Sequence, residues 1–189
     1  MNNIQIPKFV KWAGGKGQLI EQFKPLFPKE INRYFEPFVG SGAIFFYIIQ
    51  KYKPKEIFIS DINAELINSY KVVRDDVNRL IVELKQHKEY HLSEGKKYYL
   101  TIRATNPNDL PEVERAARFI YLNKTCFNGL YRVNSKGGFN VPMGSYKNPD
   151  IVQEERLRFV SKLLKKVIIK VMSFEKILKL AKKEDFIYF

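Results

Sequence analysis

The chain has 189 residues, one cysteine and a formal net charge of +13, which suits one domain with or without an insertion and excludes an internal disulfide. No apolar run reaches the roughly 18 residues of a membrane span and no secretion signal is present, so we expect a soluble cytoplasmic protein. The positive charge fits either a solvated lysine-rich surface or a polyanionic partner such as nucleic acid.

The first feature in chain order is a glycine turn after a short strand-like start. It places the only tryptophan, Trp12, beside Gly14, Gly15 and Lys16, before a helix predicted over residues 18–27. A flat indole can stack on an adenine ring or face a sulfonium, and a lysine suits a carboxylate or phosphate. Core packing is the alternative for the indole. The turn is not a Walker loop, because the GxxxxGK[ST] spacing is absent.

A second glycine turn, residues 40–42, joins a strand predicted over 32–39 to an apolar helix predicted over 43–51. Such a turn lets the backbone approach a nucleotide, which the free N–H groups of the helix then face. The next apolar run ends in Asp61, and a carboxylate at the end of that strand can accept hydrogen bonds from the hydroxyls of a ribose. Phe45 stands where the dinucleotide fingerprint requires its third glycine, so the pattern is not the dinucleotide one. A nicotinamide or flavin nucleotide is an alternative ligand, although its fingerprint needs that glycine. A turn that serves topology alone is another alternative.

Helices then replace the alternation of strand and helix, which indicates an inserted subdomain. Periodicity predicts helices over 63–73, 76–90 and 96–103, and Asn63 is the expected cap of the first. A fourth helix is predicted after Asp109 and Glu112, which have the spacing of a capping box. His87 and His91 have the spacing of metal ligands on a helix. No cysteine or acidic partner stands at ligand spacing, so we expect no metal.

The most turn-rich stretch, residues 124–149, interleaves aromatic and basic side chains. Turn signals at 128–129 and 136–138 flank a short predicted strand, 130–134, and so indicate a β-hairpin. A hairpin can enter the major groove of DNA, where an arginine grips guanine and an aromatic ring wedges between bases. A structural or protein-binding hairpin is the alternative. Cys126 is expected to be a packing residue rather than a nucleophile.

The α/β pattern resumes after this stretch. Its predicted elements are a basic helix over 154–166, a strand over 167–172, a helix over 174–181 and a strand over 185–189. Strands that alternate with helices predict an α/β fold with a parallel sheet. The helices and the hairpin between the two α/β parts form the predicted insertion.

Several separated segments together resemble the Dam-type (D12 class) DNA adenine-N6 methyltransferases. They are FVKWAGGK at 9–16, EPFVGSGA at 36–43, SDIN at 60–63, FNGLYRVN at 127–134 and FNVP at 139–142. Their combination in this order is far more specific than any one of them. The resemblance implies a Rossmann-like methyltransferase fold, incomplete at its C-terminus, with an inserted target-recognition subdomain. The implied boundaries are 1–63 and 153–189 for the methyltransferase domain and 64–152 for the insertion.

The resemblance also implies S-adenosyl-L-methionine as methyl donor and double-stranded DNA as substrate, with GATC as the expected site. By position, the donor would be bound by Trp12, Lys16, Glu36, Pro37, Phe38, Gly40, Gly42 and Asp61. The DNA would be contacted by Lys11, Phe127, Asn128, Leu130, Arg132, Asn134, Pro142 and Tyr146. We expect a monomer, with a dimer as the alternative, and no membrane association.

Catalysis in the resembled family is carried out by an Asp-Pro-Pro-Tyr loop, which orients the adenine amino group and stacks on the flipped base. Residues 1–189 contain no such sequence, and in the family it would follow the strand at 185–189. We therefore assign no catalytic residue within the chain. Methyl transfer by direct displacement relies on positioning, so we expect residues 1–189 alone not to methylate DNA at a useful rate. A non-catalytic DNA-binding module is the alternative function.

Overall fold

A computed structural model describes residues 4–189 of the chain, and its centre is a four-stranded parallel sheet. The strands are β1 Arg33–Glu36, β2 Glu56–Asp61, β3 Val167–Val171 and β4 Phe186–Ile187. Their order in the sheet is β3-β2-β1-β4, and every neighbouring pair is parallel. Strands β2 and β3 thus extend the sheet on one side of β1, and β4 pairs with the other side of β1. The predicted α/β class with a parallel sheet is confirmed.

Helices surround this sheet and form the connection between β2 and β3. The α-helices of the described residues are α1 Ile20–Phe23, α2 Ala43–Lys51, α3 Ala64–Asp75, α4 Val77–Glu94, α5 Lys96–Ala104, α6 Glu112–Thr125 and α7 Glu154–Leu164. The predicted cap of α3 is confirmed, because the Asn63 side chain accepts a hydrogen bond from the Leu66 amide at 3.0 Å. No helix within residues 4–189 is long and apolar enough to cross a membrane.

Neighbouring residues of each strand face opposite sides of the sheet. Tyr34 belongs to the main core, to which α2 contributes several fully buried side chains, whereas Phe35 and Phe58 pack on the opposite face with Ile177. The central strands β1 and β2 are covered on both faces, which explains why they read as nearly continuous apolar runs, whereas the edge strand β3 is partly exposed.

The insertion shares its core with the α/β part. Helix α3 packs against α6 of the predicted insertion and against β2, β3 and α7 of the α/β part. A single buried cluster contains residues of both parts, among them Ile59, Leu66 and Ile120. The boundaries 1–63, 64–152 and 153–189 stay a prediction, and the two parts do not have separate cores.

Some predicted local elements are wrong. The helix predicted over 18–27 is the single turn α1 between two 3₁₀ segments, because Pro25 cannot donate a helical hydrogen bond and begins a new turn. The segment Phe174–Lys179 is likewise 3₁₀ rather than α-helical. The capping box is also wrong: Pro111 holds the cap position of α6, and no side chain caps that helix. Asp109 instead ends a 3₁₀ turn that Asn106 caps.

The two histidines of α4 serve in packing. His87 Nδ1 lies 2.7 Å from the Tyr98 hydroxyl, and His91 Nδ1 lies 3.0 Å from the Tyr121 hydroxyl. Burial lowers the pKa of His87 to about 4, so its ring is neutral at physiological pH. The His87 ring also stacks on the Tyr121 ring, and the His91 ring meets the Tyr121 ring edge-on.

Candidate functional site

An open cleft of about 470 Å³ lies at the carboxyl ends of β1 and β2. The strand order reverses between β1 and β4, and ligands of open parallel sheets bind at such a switch point. The volume falls within the usual range of small-molecule sites. The cleft is lined by parts of the first glycine turn (12–16), the β1–α2 turn, the end of β2 and residues 188–189.

Six of the eight predicted donor-binding residues line this cleft: Trp12, Lys16, Glu36, Phe38, Gly40 and Asp61. The other two do not. Pro37 is buried in the turn after β1. Gly42 caps α2 with a φ of 73°, and a Cβ there would lie 2.6 Å from the Tyr70 hydroxyl, so Gly42 faces the core. Tyr188 and Phe189, which no sequence motif singled out, also contribute to the lining.

Gly40 is the point where the β1–α2 turn lies against the indole ring of Trp12. Its φ is +48°, which L side chains rarely adopt, and a Cβ there would lie 2.7 Å from Trp12 Cδ1. Its carbonyl oxygen accepts a hydrogen bond from the Tyr70 hydroxyl at 3.0 Å. Glycine is therefore required both by the backbone conformation and by the close approach of Trp12.

Asp61 is held at the tip of β2 by two backbone amides. Its Oδ1 accepts a hydrogen bond from the Asn63 amide at 3.0 Å, and its Oδ2 accepts one from the Gly40 amide at 3.3 Å. Each carboxylate oxygen has a further lone pair. The side chain is thus oriented by the protein and keeps acceptor capacity toward the cleft for the hydroxyls of a ligand.

Glu36 is a buried carboxyl group at the end of β1. It accepts a hydrogen bond from the Tyr34 hydroxyl at 2.5 Å and is also hydrogen-bonded by the Phe45 backbone. Burial raises its pKa to about 8, and both hydrogen bonds oppose that rise. At neutral pH this carboxyl is mostly protonated. A cation in the cleft would favour its ionised form.

Glu36→Gln is expected to remove a pH-dependent loss of stability. Because the folded pKa of about 8 exceeds the ordinary 4.5, the contribution of Glu36 to the free energy of unfolding is fully present below pH 4.5 and is lost as pH rises toward 8. Glutamine cannot ionise. In urea unfolding, the variant should therefore gain about 2–3 kcal/mol relative to wild type between pH 6 and pH 9.

Glu21→Gln is the matched control for this titration, because the Glu21 side chain is 79% exposed at the surface. It should follow the wild-type profile. A difference between Glu36→Gln and wild type that stays constant from pH 6 to pH 9 would show that Glu36 ionises normally.

The predicted DNA-contacting residues lie on a solvent-facing stretch beside the cleft. Lys11 is half-buried, with Nζ 3.9 Å from the centre of the Tyr146 ring. The remaining seven are exposed: Phe127, Asn128, Leu130, Arg132, Asn134, Pro142 and Tyr146. We call residues 126–146 the hairpin segment. Its exposure excludes a hairpin that is buried against its own protein.

The hairpin segment is irregular, so the strand predicted over 130–134 is wrong. Its two arms form no continuous ladder: isolated antiparallel bridges join Val133 to Phe139 and Cys126 to Met143, and a few backbone hydrogen bonds accompany them. The Asn134 Oδ1 accepts hydrogen bonds from the amides of residues 136 and 138, both at 2.9 Å. Asn134 thus stabilises the tip of the segment, and its side-chain oxygen is engaged there.

Arg132 is oriented by a residue that sequence reasoning did not single out. Its Nε donates to the Asn140 Oδ1 at 2.7 Å, and its Nη2 donates to the Asn140 carbonyl oxygen at 3.3 Å. The guanidinium keeps further N–H donors, and the side chain is exposed. Arg132 is therefore presented to solvent in a defined orientation.

Asn123 on α6 joins the hairpin segment to the wall of the cleft. Its Oδ1 accepts from the Lys11 amide at 2.7 Å, and its Nδ2 donates to the carbonyl oxygens of Lys11 at 2.8 Å and Gly129 at 3.1 Å. Lys11 precedes Trp12 directly. Cys126 is fully buried in the main core, as expected of a packing residue, and burial raises its pKa to about 11.

Comparison with known proteins agrees with this geometry. The model of the D12 class N6 adenine-specific DNA methyltransferases matches residues 12–189. The type II methyltransferase M.MjaIII of Methanocaldococcus jannaschii is 50% identical over 98% of this chain and 68% of its own. M1.LlaDCHI of Lactococcus lactis is 44% identical, and the match covers 100% of this chain and 66% of the relative. The DNA adenine methylase of Haemophilus influenzae is 35% identical, and the match covers 95% of this chain and 61% of the relative.

This chain therefore spans about two thirds of the length of these curated relatives. The family match covers both the cleft at the end of β1 and the hairpin segment. The motifs of the sequence, the parallel sheet and the comparisons lead to one assignment. The chain belongs to the family of D12 class N6 adenine-specific DNA methyltransferases.

Proposed function

We propose that this chain binds S-adenosyl-L-methionine and duplex DNA, as part of an enzyme that methylates the N6 amino group of adenine at a specific site. The observation that carries the proposal is the cleft where Trp12, Gly40 and Asp61 converge, directly beside the exposed segment with Arg132. The names of the relatives support it, since they include DNA adenine methylases and type II methyltransferases. The latter favour a role in restriction–modification.

The residues of the cleft fit the chemical groups of the donor, whose sulfonium supplies an activated methyl group. Asp61 would accept hydrogen bonds from the ribose hydroxyls, and the half-buried ring of Trp12 and the exposed ring of Phe38 would pack on the adenine. Glu36 would face the positive charge of the donor. Lys16, whose Nζ donates to the Gly14 carbonyl oxygen at 2.9 Å, would bind its carboxylate.

The hairpin segment fits a duplex with a target base outside the stack. Phe127 is 50% exposed beside Asn128, whose φ of +52° tightens the turn. An apolar ring at such a turn can wedge into a base step, and the amino group of a target base is accessible only after flipping. The net charge of +13 favours a polyanion. We propose GATC as the recognition site and the cytoplasm of a prokaryotic cell or of a phage-infected host as the location.

The proposal separates binding from catalysis. The 189 residues contain no Asp-Pro-Pro-Tyr sequence, and direct methyl transfer depends on holding the adenine amino group in line with the donor. We therefore propose that residues 1–189 alone bind both ligands without transferring the methyl group. Incorporation of labelled methyl into a GATC duplex by these residues would refute that statement.

Calorimetric titration tests the proposal directly. Residues 1–189 should bind S-adenosyl-L-homocysteine and should prefer a GATC duplex to a scrambled duplex of equal length. Tighter binding of NAD than of S-adenosyl-L-homocysteine would favour the nicotinamide alternative. Duplex binding without any binding of S-adenosyl-L-homocysteine would favour a non-catalytic DNA-binding module.

Arg132→Ala is expected to relax the base preference at one position of the site by about 1–3 kcal/mol, the usual contribution of a bidentate arginine–guanine pair. Fluorescence anisotropy with a GATC duplex and its single-base variants measures the change. Asn140→Ala should weaken the same preference in part, because Asn140 orients the guanidinium. Lys136→Ala, at the exposed tip, is the control for a phosphate contact and should weaken all duplexes equally. An equal loss on all duplexes for Arg132→Ala would contradict base readout.

A further inference from the structure

Trp12 has an aromatic partner outside the cleft. Its ring stacks on Tyr131 of the hairpin segment, with centroids 5.9 Å apart and planes 25° apart. The same indole lies against the glycine turn, since a Cβ on Gly40 would meet its Cδ1 and Nε1 atoms. Trp12 is thus the common wall of the donor cleft and of the hairpin segment.

Tyr131 is confined on its other sides as well. Its ring lies 5.6 Å from that of Phe119 on α6 and 5.8 Å from that of Phe139 in the opposite arm of the segment. Burial raises its pKa, and the nearby Glu65 carboxylate raises it further. A ring that packs against three other aromatic rings has one preferred orientation. Arg132 is the next residue of the chain, so a backbone shift that moves this ring also moves Arg132.

The backbones on either side of the stack are joined through one side chain. Asn123 binds both the amide and the carbonyl of Lys11, and it also binds the carbonyl of Gly129. Lys11 precedes Trp12, and Gly129 lies two residues before Tyr131. The stacked rings are therefore carried by two backbone segments that are held at a fixed separation.

We propose that Tyr131 is a positioning residue that couples the donor cleft to DNA readout. A ligand in the cleft restrains Trp12, Trp12 restrains Tyr131, and Tyr131 restrains Arg132. The inference rests on the proposed function, because it assumes that the donor enters the cleft and that the hairpin segment contacts DNA. A ligand that orders a shared element reduces the ordering cost of the second ligand. The donor and the duplex should then strengthen each other's binding by the same factor.

The experiment measures the dissociation constant of S-adenosyl-L-homocysteine with and without a saturating GATC duplex. Trp12 is the only tryptophan and lies in the stack, so its fluorescence reports binding in the chain as it exists. We expect the duplex to tighten binding at least about fivefold in wild type, at the lower end of usual couplings. Tyr131→Leu, which keeps an apolar side chain without the ring, should reduce this ratio to about twofold or less. Tyr131→Phe should retain the wild-type ratio.

Tyr90→Ala is the matched aromatic control. Tyr90 is 51% exposed on α4 and stacks on Tyr98, away from the cleft. The duplex should therefore tighten the binding of S-adenosyl-L-homocysteine to this variant by the same factor as in wild type. Circular dichroism melts establish whether each variant is folded. If Tyr131→Leu does not fold, Phe119→Leu replaces it in the comparison with Tyr131→Phe. Phe119→Leu removes the other ring that packs on both Trp12 and Tyr131, and the coupling must then be lost in this variant.

Two results would overturn the inference and leave the proposed function intact. One is a wild-type protein that binds both ligands with no mutual effect. The other is a folded Tyr131→Leu variant that retains the full coupling ratio. A folded wild-type protein that does not bind S-adenosyl-L-homocysteine at all would instead refute the proposed function, and this inference with it.

Discussion

Gly40→Ala should weaken the binding of S-adenosyl-L-homocysteine by at least about 30-fold, which corresponds to roughly 2 kcal/mol. Gly40 has a φ of +48°, and an added Cβ would lie 2.7 Å from Trp12 Cδ1. Left-handed backbone costs an alanine about 1–2 kcal/mol, and overpacking typically adds about 1–3 kcal/mol. The displaced turn would also move the amide that donates to Asp61. Isothermal titration calorimetry measures the loss.

Gly95→Ala separates backbone strain from the clash. Gly95 precedes α5 with a φ of +54°, and an added Cβ there meets no atom within 4 Å. This control should lower the melting temperature while leaving donor affinity unchanged. If Gly40→Ala bound the ligand as wild type does, the turn between β1 and α2 would not form the wall of the donor site.

The parts of the site that local sequence patterns encode were predictable. Continuous apolar runs identified β1 and β2, and the turn chemistry between them located Gly40 and Asp61 at the carboxyl edge of the sheet. A motif position, however, does not say which way a residue faces. Gly42 fits the family motif, yet it lies against Tyr70 in the core because α2 begins there.

The contacts that organise the hairpin segment were not predictable from the sequence. Asn123 and Lys11 are separated by 112 residues, and Trp12 and Tyr131 lie on distant segments that only tertiary packing brings together. Periodicity predicts a helix after Glu112, and the structure extends it through Asn123, but the pattern carries no sign of the three hydrogen bonds that Asn123 makes. The strand predicted over 130–134 failed for a related reason: side-chain contacts of Asn134 and Arg132 organise this segment, with few ladder hydrogen bonds.

Asn123→Ala is expected to lower the free energy of unfolding by about 3 kcal/mol. Asn123 is 2% exposed, and its side chain satisfies the Lys11 amide and the carbonyl oxygens of Lys11 and Gly129. Each buried polar group that loses its partner costs about 1–3 kcal/mol. The half-buried position of Lys11 lets water offset part of that cost. Urea unfolding and a melting temperature lower by about 6–12 °C would both report the loss.

Asn68→Ala is the control, because Asn68 makes one exposed hydrogen bond, from its Nδ2 to the Glu112 carbonyl oxygen. Its free energy of unfolding should stay within about 0.5 kcal/mol of wild type. The same argument requires Asn123→Ala to weaken GATC binding by more than Asn68→Ala does, because Gly129 and Lys11 lose their common partner. A stable Asn123→Ala variant with unaltered DNA binding would mean that the stacked rings of Trp12 and Tyr131 hold the two segments together without the amide.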